Sequence, residues 1–129
     1  MAAVLVDTHS IIWYLREPER LSTAAKVALQ DGGPIYVASI TLVEIRYLTE
    51  KGRIQEEALQ RLDRAIDEVD SVLRLVALDR DIARALYRIP RGIVPDMPDR
   101  IIAATALHLG VPLVTRDAAI RAAPITTIW

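Results

Sequence analysis

The stretch DMPDRIIAATALHLGVPLVTRD, from Asp96 to Asp117, decides how the chain folds. It reads as a helix, a tight turn, a short strand and a closing acid. Pro98 suits a first helical turn, where its missing N–H costs nothing. The run IIAATALHLG is apolar almost all round, as a helix buried among other elements must be. Gly110 predicts the helix end, and Pro112 keeps the helix from resuming. Leu113, Val114 and Thr115 predict a brief buried strand closed by Arg116 and Asp117. A helix that leads into a parallel strand runs antiparallel to it. Asp96 and Asp99 at the helix start therefore share a sheet edge with Asp117 at the strand end.

The same alternation extends outward. Ala3 to Val6 is a continuous apolar run, expected of a buried parallel strand. It stops at Asp7-Thr8, and a helix follows from about His9 to Arg16. Ser22 is a good N-cap for a helix to about Gln30, and Gly32-Gly33-Pro34 is a turn. Ile35 to Ala38 predicts a second strand, after which Thr41 is expected to cap a helix to about Lys51. Leu59, Leu62, Ile66 and Val69 repeat at helical spacing, so Gln55 to Asp70 predicts a long polar helix. Leu73 to Leu78 predicts a strand, Asp79 to Ile89 a helix, and Pro90 to Pro98 a loop. Ala118 to Ala122 predicts a short helix and Ile125 to Trp129 a last strand. Strands alternating with helices mean an α/β fold with a parallel sheet covered on both faces.

The chain has 129 residues, 52% of them hydrophobic, which suits one domain over 1–129 and argues against disorder. There is no cysteine, which excludes a disulfide framework and a thiolate zinc site and fits a reducing cytoplasm. MAAVLVD lacks a basic n-region, so no signal peptide is expected there. The uncharged run from Ile101 to Thr115 is shorter than the roughly 18 apolar residues of a membrane span, so no membrane partner is expected. A net charge of −1 gives no global attraction to nucleic acid. Arginine, however, makes up 14 of the 16 basic residues and suits bidentate phosphate contacts.

Five acids stand out. Asp7 closes the first strand, where a helix N-cap is the ordinary use of such a residue. Asp96 reads equally as the N-cap of the buried helix, with Asp99 favoured in its first turn by the helix dipole. Yet Asp99 has only Ile102 and Ala103 three and four residues on, with no base to meet it. Glu44 has Ile40, Thr41, Tyr47 and Leu48 at helical spacing. A carboxylate on such a stripe is costly unless something positive meets it: either an arginine or a metal ion. Asp117 can cap the helix at Ala118. Each reading as a cap is plausible singly, but their convergence on one sheet edge points to chemistry.

Carboxylates without compensating Lys or His form a hard oxygen cage, suited to Mg²⁺ or Mn²⁺. Such ions bind phosphate and can support in-line displacement by water. His9 and His108 are too few for a zinc site; His108 reads as a partner of the helix C-terminus, and His9 as a residue that could touch substrate. Neither a Walker loop nor G-x-G-x-x-G is present.

Four segments, VLVDTHSIIWYL, ASITLVEI, PDRIIAATAL and PLVTRD, together resemble the PIN-domain family, specifically the VapC-type toxin ribonucleases of toxin–antitoxin pairs. They come in the family's order and spacing and span essentially the whole chain. The resemblance implies a three-layer α/β/α sandwich with a parallel sheet of about five strands. It implies metal-dependent hydrolysis of RNA phosphodiester bonds, with Mg²⁺ or Mn²⁺ as cofactor. Asp7, Glu44, Asp99 and Asp117 take the positions of the family's four acids, and Asp96 that of an auxiliary acid. Thr8, Thr41 and Thr115 lie where hydroxyls support the acids. Many relatives carry Asn at the position of Asp117 and an acid three residues on; here that later residue is Ile120, so Asp117 acts alone. On this reading Asp7, Asp99 and Asp117 hold the metal and Glu44 orients or deprotonates water. Arg100 and Arg116 either hold flanking phosphates or neutralise the acids. The resemblance also implies a cognate VapB-type antitoxin, for which Trp13, Tyr14 and Tyr47 could line a groove, and a homodimer.

Two other readings compete. A phosphoacceptor signalling domain needs a lysine at a late strand end, but Lys26 and Lys51 both fall in predicted helices. A catalytically silent PIN-like binding module remains the alternative, against which the presence of all four acids weighs.

Overall fold

The computed structural model describes residues 2–129, so Met1 lies outside it. Five strands, β1 (Val4–Val6), β2 (Ile35–Ala38), β3 (Leu73–Val76), β4 (Leu113–Val114) and β5 (Thr127–Ile128), form one sheet in the order β3-β2-β1-β4-β5. Every neighbouring pair is parallel. The helices are α1 (Thr8–Arg16), α2 (Thr23–Leu29), α3 (Ser39–Glu50), α4 (Glu57–Asp67), α5 (Arg80–Ala85), α6 (Met97–Leu109) and α7 (Ala118–Arg121), with 3₁₀ turns at Pro18–Arg20 and Leu86–Arg88.

Side chains alternate across each strand and so divide the core in two. Val4, Val6, Ile35, Val37 and Val114 pack on one face with Ile11 of α1, Leu29 of α2, Ile45 of α3 and Leu62 of α4. Leu5, Ala38 and Leu113 pack on the other with Ile82 of α5, Ile102 and Ala106 of α6, and Ile120 of α7. This is the expected α/β/α sandwich. All three residues of β1 are buried because the strand has neighbours on both edges and helices on both faces. Burying one such Leu or Ile side chain stabilises the fold by about 1.5–3 kcal/mol.

The chain reverses direction across the sheet at β1. Its first crossover leads to β2 on one side, and its last long one leads through α6 to β4 on the other. Ligands on open parallel sheets bind outside the strand ends at such a point. The register there pairs Val6 with Val114, which sets the residues that follow each strand side by side.

Several boundaries differ from the sequence reading. The third helix begins at Ser39, directly after the strand, and Thr41 lies buried in its interior rather than at its cap. Ser39 Oγ is used elsewhere, accepting from Leu78 N. The long polar helix is confined to Glu57–Asp67: Glu68 leaves helical geometry at ψ 141, and Asp70 then turns the chain with φ 61. The helix expected over Asp79 to Ile89 tightens to 3₁₀ after Ala85. The last helix before β4 ends at Gly110, whose φ of 68 is left-handed. A Cβ there would meet nothing within 4 Å, so a substitution is penalised by the backbone alone. Among the described residues, no helix is long and apolar enough to cross a membrane.

Candidate active site

Asp7 follows β1 and is buried, at 7% exposure. Its Oδ1 accepts from Ser10 N at 2.9 Å, capping α1, while its Oδ2 accepts from Thr115 Oγ1 at 2.6 Å. The cap and the inward-facing carboxylate are thus the same residue, with lone pairs to spare on both oxygens. Thr115 Oγ1 also accepts from Asp117 N at 3.0 Å, tying the end of β4 to the end of β1. Asp117 caps α7, its Oδ2 accepting from Ile120 N.

Among the described residues Glu44 pairs with no arginine. Its Oε1 accepts from Thr8 Oγ1 at 2.5 Å, and Thr8 Oγ1 lies 3.1 Å from Thr41 Oγ1. The ion pairs among the described residues, Arg16–Glu57, Arg20–Glu17 and Arg46–Glu56, leave all five candidate acids out. The three threonines sit at the bases of two acids: Thr8 and Thr41 under Glu44, and Thr115 under Asp7.

Asp96 caps α6, its Oδ2 accepting from Asp99 N at 3.1 Å. Glu44, Asp96 and Asp99 each offer a carboxylate oxygen within 4.8 Å of the others, a spacing one cation can bridge. Asp7 and Asp117 join no group of three at that spacing among the described residues, although both repel charge on Asp99. The tight trio therefore includes Asp96, which reads from the sequence as an N-cap and from the family resemblance as an auxiliary acid. A second group, Asp79, Asp81 and His108, is exposed and uses the last turn of α6 rather than its first.

Asp99 carries the electrostatic signature of the cluster. Burial, then the charges of Asp96, Asp117, Glu44 and Asp7, push its pKa up to about 7. Acids from four separate segments thus act on one carboxyl. A raised folded-state pKa penalises the native state as pH rises from the unfolded value of 3.8 toward 7. Asp99→Asn should therefore raise the thermal midpoint of metal-free protein at pH 8, and the gain should vanish near pH 4. Asp99 is only half buried, so screening limits the gain to about 1–2 kcal/mol. Calorimetry of both proteins across this range, in chelator, checks the sign.

The arginines divide. Arg100 does not face the acids: its Nε donates to Ile89 O at 2.8 Å and a terminal nitrogen to Leu86 O at 3.0 Å. It clasps the 3₁₀ segment to α6, which corrects the expectation that it holds phosphate or neutralises acids. Arg116 is exposed and lines a cavity of about 480 Å³ with Asp7 and Asp117. Arg20, not singled out in the sequence, lines the same cavity, its guanidinium 4.6 Å from the Trp13 ring centre. No sequence signal marks it, because the 3₁₀ turn after α1 brings it back. Trp13 is buried in the core against Trp129, and only its edge reaches the cavity wall. Tyr14 is half-buried on the same core, and Tyr47 is exposed.

The family model described as PIN domain matches residues 4–125. The chain is 34% identical over 135 aligned residues to Ribonuclease VapC22 of Mycobacterium tuberculosis, covering 100% of both chains. Its fold is similar to DNA-bound VapBC from Salmonella typhimurium, with a TM-score of 0.73 at 21% identity over 98% of this chain and 97% of that one. A toxin–antitoxin complex from Klebsiella pneumoniae is similar at 26% identity, with a TM-score of 0.64, over 92% of this chain and 90% of that one.

Proposed function

The chain belongs to the PIN-domain family, and from that premise we propose that it is a metal-dependent endoribonuclease, the toxin of a type II toxin–antitoxin pair. The observation that carries the reading is the convergence of Asp7, Glu44, Asp96, Asp99 and Asp117 at one sheet edge, with no ion pair to any of them among the described residues. The likeness to a named ribonuclease along the whole chain supports the substrate class.

An all-oxygen donor set fits Mg²⁺ or Mn²⁺. Asp99, Glu44 and Asp96 would hold the ion, with Asp7 and Asp117 completing the cage directly or through water. When bound, the ion supplies Lewis-acid stabilisation of charge on the phosphoryl oxygens and favours ionisation of water. Glu44, held by Thr8, orients the attacking water or takes its proton. Asp7, locked between Ser10 N and Thr115 Oγ1, cannot rotate away from the strand ends. Arg116 is free to hold a phosphate beside the scissile one. The partner is a VapB-type antitoxin that blocks this edge, the setting is the cytoplasm, the functional unit is a homodimer, and residues 1–129 act as one PIN-like domain.

The test is direct. Purified protein should cleave single-stranded RNA with Mn²⁺ or Mg²⁺ and stop in excess chelator; cleavage that persists in chelator overturns the metal assignment. Retained Mn²⁺ binding without any RNA cleavage would favour the silent binding module.

The threonines give a finer check. Thr115→Val removes the donor that orients Asp7, and Thr8→Val the one that orients Glu44. Each should lower kcat about 10- to 100-fold, as losses of such supporting bonds do. Thr115→Ser and Thr8→Ser restore the hydroxyl and should recover most of the activity. Failure of the serine variants to recover would assign the threonines to packing.

A further inference from the structure

Two cavities share a wall, and the first holds two of the acids. The first, of about 480 Å³, contains Asp7, Asp117 and Arg116; the second, of about 520 Å³, contains Arg53 and Leu48 together with Arg16, which pairs with Glu57, and Glu17, which pairs with Arg20. His9, Trp13 and Arg20 line both, so they form the ridge between them. Trp13 is buried, but it presents its neighbours. The His9 ring is exposed and lies 5.9 Å from the Trp13 ring, tilted by 48°. The Arg20 guanidinium rests against the same Trp13 side chain, 4.6 Å from the ring centre. Arg53 and Arg116 are exposed, and neither is in an ion pair among the described residues. Among the described residues Arg20 pairs only with Glu17, across a half-exposed 3.2 Å contact of little energetic worth.

We infer that the ridge and its two cavities are a binding track for the single strand on one side of the scissile bond, a site that rests on the ribonuclease reading proposed above. The chemistry matches at each step. Arg116, Arg20 and Arg53 space positive charge outward from the acids, which otherwise repel a phosphate backbone. The exposed imidazole of His9 and the flat guanidinium of Arg20 are surfaces on which unpaired bases stack. Stacking on these surfaces and charge contacts to phosphates grip a strand whatever its sequence. The track's role is to anchor a substrate longer than the bond being cut.

Cleavage kinetics of a labelled dinucleotide and a labelled decanucleotide in Mn²⁺ test this, using wild type, Arg53→Glu and His9→Ala. Both residues are exposed, so neither change threatens the fold. For the decanucleotide, each variant should raise KM at least about fivefold with kcat within about twofold of wild type. Arg53→Glu should also flatten the salt dependence of binding by about 0.7 in log–log slope, the change expected when one phosphate is no longer neutralised. Dinucleotide kinetics should not change. If wild type cleaves both substrates and the variants leave the decanucleotide KM and salt slope alone, the track is refuted while the nuclease stands. If the variants harm both substrates equally, these residues serve the scissile position and the flanking track is refuted. If wild type cleaves neither, the ribonuclease reading fails and this inference with it.

Discussion

Asp7→Asn and Asp99→Asn should each reduce metal-dependent RNA cleavage by at least about a thousandfold, some 4 kcal/mol of barrier. The change removes one charge and almost no volume. For Asp7, an amide oxygen can still accept from Ser10 N, and Thr115 Oγ1 can turn to accept from the amide NH₂. The fold therefore survives and the loss is chemical. For Asp99, the loss of activity should coincide with a gain in metal-free stability, because the variant relieves the repulsion from Asp96, Asp117, Glu44 and Asp7. That opposite movement separates a site residue from a structural one. The double variant should lose little more than either single one, since groups that act together are not additive. Single-turnover rates at saturating Mn²⁺, with circular dichroism on each protein, make the measurement. Activity within tenfold of wild type in both single variants would remove these carboxylates from the mechanism.

Why were these acids legible from one chain? Strand ends and helix starts are backbone positions, and backbone geometry can be read from apolar runs and their punctuation. Asp7 follows Val4–Val6, Asp117 follows Leu113 and Val114, and Asp99 heads an apolar helix. Their shared edge follows from the parallel topology alone. Glu44 was marked by its apolar helical neighbours, and the structure meets it with Thr8 rather than an arginine. What stayed hidden depends on side-chain direction or on loops. Thr41 has good capping chemistry, but β2 passes straight into α3 two residues earlier, which puts Thr41 under Glu44 instead. Asp96 looked like a cap and is one, yet the same turn of α6 brings its carboxylate within reach of Glu44 and Asp99. Arg20 returns to the site through a 3₁₀ turn that no periodicity announces.

Arg100 shows the same limit and carries the second large effect. Next to Asp99 in sequence, it invited a role at the phosphate. On a helix, however, adjacent residues point about 100° apart and do not share a face. Asp99 faces the acids, while Arg100 reaches back to the carbonyls of Leu86 and Ile89. Arg100→Ala should therefore act on folding. It strips the donor from the part-buried Ile89 carbonyl and removes one of two from the Leu86 carbonyl, which keeps Ile89 N at 3.0 Å; the net cost is about 2 kcal/mol, since a lost charged donor costs more than an average hydrogen bond but water can partly replace it here. The thermal midpoint should fall on the order of 10 °C. Arg100→Lys should recover less than half of that, because an ammonium cannot reproduce the two-pronged geometry. Well below the transition, KM for RNA should stay within about twofold of wild type, because the guanidinium touches no part of the track or the acids. The reverse pattern, an unchanged midpoint with a fivefold or greater rise in KM, would return Arg100 to the substrate and break the assignment of α6's two faces.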